Sequence, residues 1–210
     1  RICFVNKMDR TGADFPRTIR MIRERLNGNP IAIQWPIGSE SSFRGIVDLL
    51  TMEATIWEDE EGMNPIIVEI PEDVRTEAEA ARKAILDRIV ETDEELMMRY
   101  LEGEEITPEE LRGALRQATI RGEVTPVMCG TALRNKGVQR LLDAVVYYLP
   151  SPLDVPAIEG VNPLTDSMEK REAKDSEPLA ALVFKIVTDP YVGRLAYFRV
   201  YSGVMRTGES

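Results

Sequence analysis

The apolar run Ile2-Cys3-Phe4-Val5 ends directly in Asn6-Lys7-Met8-Asp9, and this junction constrains the fold more than any other stretch. A short apolar run without alternation reads as a strand covered on both faces, the pattern of a parallel sheet. A polar tetrapeptide at its carboxyl end stands where open α/β sheets bind ligands. The residue types suit guanine. Guanine offers two N–H donors, on N1 and the exocyclic N2, and one ionised carboxylate accepts both in a charge-assisted pair. Adenine has no donor at either place and would leave a desolvated carboxylate unpaired, at a cost of roughly 1–3 kcal/mol or more. Asp9 is the candidate carboxylate. The methylene stem of Lys7 can cover the base face, and Asn6 can brace the loop.

A second junction of the same kind lies far downstream. Val124-Thr-Pro-Val-Met-Cys129 reads as another short strand and ends in Gly130-Thr131-Ala132-Leu133. A turn of small residues lets a backbone N–H come close to a base oxygen, here guanine O6. About 120 residues separate Asp9 from Thr131, whereas a crossover between parallel strands needs only a dozen or so. A subdomain is therefore expected between them, over about residues 30–122.

In combination these motifs resemble the fourth and fifth guanine-binding motifs of a translational GTPase. Asp189-Pro-Tyr-Val-Gly-Arg-Leu195 with Arg199-Val-Tyr-Ser-Gly203 resembles the start of the second domain of the elongation factor G family. Leu149-Pro-Ser-Pro-Leu-Asp-Val-Pro156 and Asn135-Lys-Gly-Val-Gln139 extend the likeness along the chain. Thr131 stands where that family usually has Ser, a mild departure because the contact there is mainly through the backbone. The resemblance implies an α/β fold: the C-terminal part of a doubly wound GTPase sheet, an inserted α+β subdomain, and the first strands of a β-barrel. It implies GTP-dependent translocation on the ribosome, in the cytoplasm. The guanine of GTP or GDP would be contacted by Asn6, Lys7, Asp9, Thr131, Ala132 and Leu133. Mg²⁺ would serve the full-length parent through ligands outside this chain. Partners would be ribosomal RNA and proteins.

The chemistry of phosphoryl transfer is not expected here. No G-x-x-x-x-G-K-[ST] loop cradles phosphates. The chain has no His, so it cannot carry the histidine that such factors use near the attacking water. The chain is expected to be an internal piece of a larger GTPase, monomeric, without catalytic or metal-ligating residues, and unable alone to hydrolyse GTP or bind it tightly. Neighbouring carboxylates such as Glu94 and Glu95 point to different sides of a helix and make no acid–base pair.

Composition adds a charge asymmetry. The net charge is −10, yet residues 58–110 alone hold 19 acidic and 5 basic residues, a net of −14. That stretch repels phosphates and attracts basic surfaces. In the resemblance, its acidic helix would meet the ribosomal stalk protein. Cys3 and Cys129, both in apolar strands, are expected to be buried and reduced. No apolar run approaches the ~20 residues needed to span a membrane.

Local signals place the remaining elements. Asp14 is set to cap a helix running to about Asn27, with Pro16 in its first turn, Phe15, Ile19, Ile22 and Leu26 on one face, and Gly28 ending it. Short strands over 31–37, 45–50, 52–57 and 66–70 suggest a small antiparallel sheet. Helices are expected from Pro71, from Asp93 and from Thr107, whose Thr107-Pro-Glu-Glu110 is a capping box. A helix carrying Val138, Leu141, Leu142, Val145 and Leu149 should pack on the sheet. The domain reading is therefore 1–29 and 123–150 for the GTP-binding part, 30–122 for the acidic insert, 151–178 for a linker and polar loop, and 179–210 for the start of a barrel. Lys136 is expected to face solvent. Two rivals stay open: a non-catalytic acidic protein-interaction module, and another translational GTPase of the release-factor or ribosomal-protection type. The D-P-Y-V-G-R-L stretch favours elongation factor G over the latter.

Overall fold

In a computed structural model, which describes residues 1–162 and 164–208, the first apolar run forms strand β1 (Cys3–Val5). Helix α1 follows (Phe15–Leu26), then β2 (Pro30–Ala32), β3 (Gln34–Ile37), β4 (Gly45–Asp48), β5 (Glu53–Trp57) and β6 (Pro65–Val68). Helices α2 (Glu72–Val90), α3 (Glu94–Leu101) and α4 (Pro108–Ile120) precede β7 (Thr125–Cys129) and α5 (Val138–Tyr148). Two hairpins complete the chain: β8 (Ile158–Val161) with β9 (Met168–Arg171), and β10 (Ala180–Asp189) with β11 (Gly193–Ser202). The fold is mixed α/β, with one parallel sheet and further antiparallel strands. It divides into two compact units, Arg1–Leu149 and Pro150–Ser210.

The parallel sheet has the order β1-β7-β2, so β7 lies centrally. Cys3, Phe4 and Val5 stand opposite Val127, Met128 and Cys129, and β2 flanks β7 on its other side. Val127, Met128 and Cys129 are fully buried, which explains why β7 reads as a continuous apolar run. Cys129 lies in the core, where burial pushes its thiol pKa up; Cys3 is only half-buried, and both are free.

The antiparallel sheet has the order β3-β4-β5-β6. The single strand expected over 31–37 is in fact split between the two sheets: Ile31 pairs in parallel with Pro126, and Gln34–Ile37 pairs antiparallel with β4. Ile33, at the break, donates its N–H to the Val127 carbonyl. One β-favouring run carries no signal of the place where it changes partners. A core of Ile37, Val47, Leu49, Ala54, Val74, Ile89, Leu111 and Leu115 joins this sheet to α2 and α4.

Helix ends follow the sequence closely. The Asp14 carboxylate accepts from the Arg17 N–H at 2.8 Å, and Asp93 caps α3 in the same way. At the end of α1 it is Asn27 that takes the left-handed conformation (φ 49°), and Gly28 follows it. Asn is the side chain that best tolerates that region. Leu26 is exposed, and α5 turns Leu141, Ala144 and Tyr148 inward while Leu142 and Val145 face out. The stretch read as a polar loop contains the β8–β9 hairpin, in which Glu159 stands opposite Lys170 and pairs with it at 2.6 Å. Opposite charges across a strand pair substitute there for an apolar signal. In the β10–β11 turn, the Asp189 carboxylate accepts from the Tyr191 and Val192 amides, so this is a local clamp with the Tyr191 ring exposed. Expectations for Pro163, Glu209 and Ser210 lie outside the described residues.

The capping box of α4 is reinforced from α3. Thr107 donates to Glu110 Oε2 through its N–H, and Arg99 donates to Glu110 Oε1 at 2.6 Å and to Glu104 at 2.8 Å. The Arg99 hydrogen bond, followed by those from Thr107, holds the Glu110 carboxyl down to about 2 from an ordinary 4.5. A depressed carboxyl stabilises the fold above its ordinary range and loses that contribution as pH falls through the folded value. Glu110→Gln should therefore lower the urea midpoint at neutral pH, and the gap from the parent chain should close as pH falls from 4.5 towards 2.

Candidate guanine-recognition site

Parallel pairing of β1 with β7 puts the turns after both strands at one end of the sheet. The ladder continues into the turns: Gly130 N–H donates to the Val5 carbonyl at 3.0 Å, and Met8 N–H donates to the Gly130 carbonyl at 3.1 Å. Gly130 is dictated by packing. A Cβ there would lie 2.4 Å from the Lys136 carbonyl oxygen and 2.7 Å from the Phe4 ring. The small residue expected at this turn is thus needed by the protein's own chain, whatever binds nearby.

Asn6 joins the two turns. Its side-chain Oδ1 accepts from the Lys7 N–H at 2.8 Å and from the Ala132 N–H at 2.9 Å. Bracing of the loop by Asn6, expected from sequence, therefore extends across to the second turn. Lys7 sits at φ 63°, which turns the chain sharply and leaves its side chain exposed. Met8 points the other way and is buried with Phe15, Phe43 and Trp57. Asp9 is largely covered, its side chain 20% exposed, and its carboxylate meets Arg134 Nε at 3.3 Å. Arg134 follows the second turn directly, so this ion pair is a second bridge between the motifs. Sequence reasoning passed over Arg134; its position one residue beyond Gly130-Thr131-Ala132-Leu133 was the available signal.

The second turn is held tightly. Thr131 is buried; its N–H donates to the Lys136 carbonyl at 2.9 Å and its carbonyl accepts from the Lys136 N–H at 3.1 Å. Thr131 therefore shapes the turn from inside. With the Thr131 amide given to Lys136 and the Ala132 amide to Asn6, the Leu133 N–H is the next donor along the turn, on a fully exposed residue. Lys136 itself is a correction: it is 7% exposed rather than solvent-facing. Its Nζ donates to the Trp57 carbonyl at 3.4 Å. A lysine after a turn carries no sequence mark of burial, because its partner is a backbone carbonyl on a distant strand.

A cavity of about 300 Å³ abuts the first loop, lined by Asn6, Lys7, Gly12, Asp14, Arg17 and Met21 among others. It lies on the α1 side, and none of its lining residues belongs to the second turn. Among the described residues, no group of three or more His, Cys, Asp or Glu side chains is placed to hold a metal ion, and no helix is long and apolar enough to cross a membrane.

Removing the Asn6 acceptor hands two exposed amides to solvent. Asn6→Ala should lower stability by about 1 kcal/mol, the net worth of bonds that water can replace, and speed hydrogen exchange at Ala132 far more than at the centre of β7. Denaturant titration and amide exchange read the two effects; equal exchange at both places would show that Asn6 does not link the turns.

Comparison with known proteins bears on the fold and the family. A crystal structure of a protein from Thermus thermophilus, ttk003000868, matches with a TM-score of 0.75 and 31% sequence identity, over 100% of this chain and 28% of that one. The chain thus spans about a quarter of the length of that protein. Residues 1–151 match the family described as Elongation factor Tu GTP binding domain. By that match the chain belongs to the elongation factor Tu GTP-binding-domain family, the guanine-nucleotide-binding GTPases of translation.

Proposed function

We propose that this chain is the central part of a GTP-dependent ribosomal translocation factor of the elongation factor G type, and that its two turns read guanine. The observation that carries the reading is the Asn6 side chain bonded to the Ala132 amide, on loops that leave neighbouring parallel strands. Asp9 accepts the guanine N1–H and N2–H. Lys7 lays its stem over the base. Leu133 and Ala132 present the turn's amides to O6, the Ala132 donor being shared with Asn6. Thr131 sets the turn from within. The phosphate and Mg²⁺ chemistry belongs to other parts of a longer protein carrying this segment, and hydrolysis by the chain alone is not expected. Assignment to elongation factor G over its relatives rests on Asp189-Pro-Tyr-Val-Gly-Arg-Leu195 and Leu149-Pro-Ser-Pro152.

The proposed domain limits are 1–29 with 123–150, then 30–122, 151–178 and 179–210, with Pro30–Ala32 of the second part pairing into the parallel sheet of the first. The acidic stretch 58–110 supplies a docking face for a basic partner on the ribosome, the stalk protein by resemblance. Glu94, Glu95, Glu102, Glu105 and Glu109 are exposed around α3 and the start of α4. The site of action is the cytoplasm.

Base reading is tested by competition against labelled GDP in a longer protein carrying this segment. Asp9→Asn places an amide donor opposite guanine's N–H groups and should weaken GDP roughly 10- to 100-fold, with ATP still excluded. Unchanged guanine preference would remove Asp9 from the role. Docking through the acidic face is tested by ribosome co-sedimentation at rising ionic strength. Binding should fall steeply, because exposed charges are screened within about 8–10 Å at physiological salt; salt-indifferent binding would contradict it.

A further inference from the structure

The antiparallel sheet reaches both base-facing turns through two of its own loops. Between β3 and β4, the Glu40 N–H donates to the Met8 carbonyl at 2.8 Å, while Glu40 Oε1 accepts from the Gly12 N–H at 2.7 Å. One residue thus ties down the middle and the far end of the loop that carries Asp9. Glu40 holds φ 54°, a conformation that a glutamate keeps only where its surroundings fix it. Between β5 and β6, the Gly62 carbonyl accepts from Asn135 Nδ2 at 3.3 Å and Gln139 Nε2 at 3.4 Å. Gly62 sits at φ 63°, and a Cβ there would lie 2.3 Å from the Arg134 carbonyl oxygen, so the two backbones touch. Lys136, which pairs with Thr131, is gripped by the Trp57 carbonyl at the end of β5. Both loops leave the same end of the four-stranded sheet, one from each outer strand pair, and they reach separate turns.

We propose that the antiparallel sheet is a positioning element for base recognition, with Glu40 as the residue that sets the Asn6–Asp9 loop. The inference rests on the guanine reading above and adds that affinity depends on side chains that never touch the base. Glu40 holds Met8 and Gly12, and through them the orientation of Lys7 and Asp9. The β5–β6 turn holds Lys136 and Asn135, and through them the amides of the second turn. A base bound between the turns therefore senses the separation that this sheet enforces.

The test uses the 210-residue chain labelled with ¹⁵N and titrated into the millimolar range, where weak binding by the chain alone is read, with guanosine and with adenosine as the control. Glu40→Ala deletes the acceptor for Gly12. Glu40→Gln keeps it. Glu40→Gly deletes it while relieving the left-handed backbone, so it folds even if the alanine variant does not. The alanine and glycine variants should expose the Gly12 amide to exchange and weaken guanosine roughly tenfold, the factor lost with one hydrogen bond to a charged acceptor. Glu40→Gln, whose neutral oxygen still accepts from Gly12, should recover the amide's protection and part of the affinity. Guanosine affinity within about twofold of the parent in Glu40→Gly, with the Gly12 amide released, would overturn the proposal, as would a glutamine variant as weak as the glycine one. Asp9→Asn in the same titration separates the two claims. Loss of guanosine there with no effect of the Glu40 variants defeats positioning alone. A parent chain that does not prefer guanosine over adenosine defeats the base reading and this inference together.

Discussion

Three parallel residue pairs between β1 and β7 set where both polar motifs stand. Strands running the same way place their carboxyl ends side by side. Loops more than a hundred residues apart in sequence are thereby delivered to one edge. The ladder's last bonds run through Gly130 and Met8, so the turns leave the sheet already in register. Asn6 then fixes their spacing with a single side-chain oxygen that serves an amide from each motif. Opposite it, Asp9 and Arg134 form a looser bridge through charge. A carboxylate held this way is oriented before any ligand arrives, and less ordering is left to be done on binding.

The stretch between the two motifs reads as an insertion, yet its sheet does more than occupy a connection. Met8 packs into the same buried group as Phe43 and Trp57. That contact makes the residue between Lys7 and Asp9 a shared core position of both sheets, and it explains why Met stands at the variable place of the N-K-x-D pattern. The acidic helices attach to the other side of this antiparallel sheet through Val74, Ala78, Leu111 and Leu115. Trp35, packed against both buried groups, links the helix side of this sheet to the Met8 side.

Much of this was legible in the chain. Asp14, Asp93 and the Thr107/Glu110 pair mark helix starts because their bonds are local, spanning a few residues. The place of the Asn6–Asp9 loop after β1 was legible because the apolar run before it ends so abruptly. The less legible features all depend on distant partners. Lys136 is buried by a carbonyl on β5, and Glu40 is recruited by amides of another loop. The run 31–37 divides between two sheets at Ile33 with no break in composition. The β8–β9 hairpin forms from a polar stretch through cross-strand charge. Periodicity reports which face of an element is apolar; it does not report which neighbour the topology will supply.

The most direct test of the account is an isotope-filtered NOE measurement on the chain saturated with guanosine. Two turns gripping one purine should give simultaneous NOEs from the base to the Lys7 methylenes and to the Leu133 amide proton. NOEs confined to one of the two turns, or to the cavity on the α1 side, would show that the motifs share an edge of the sheet without sharing a base.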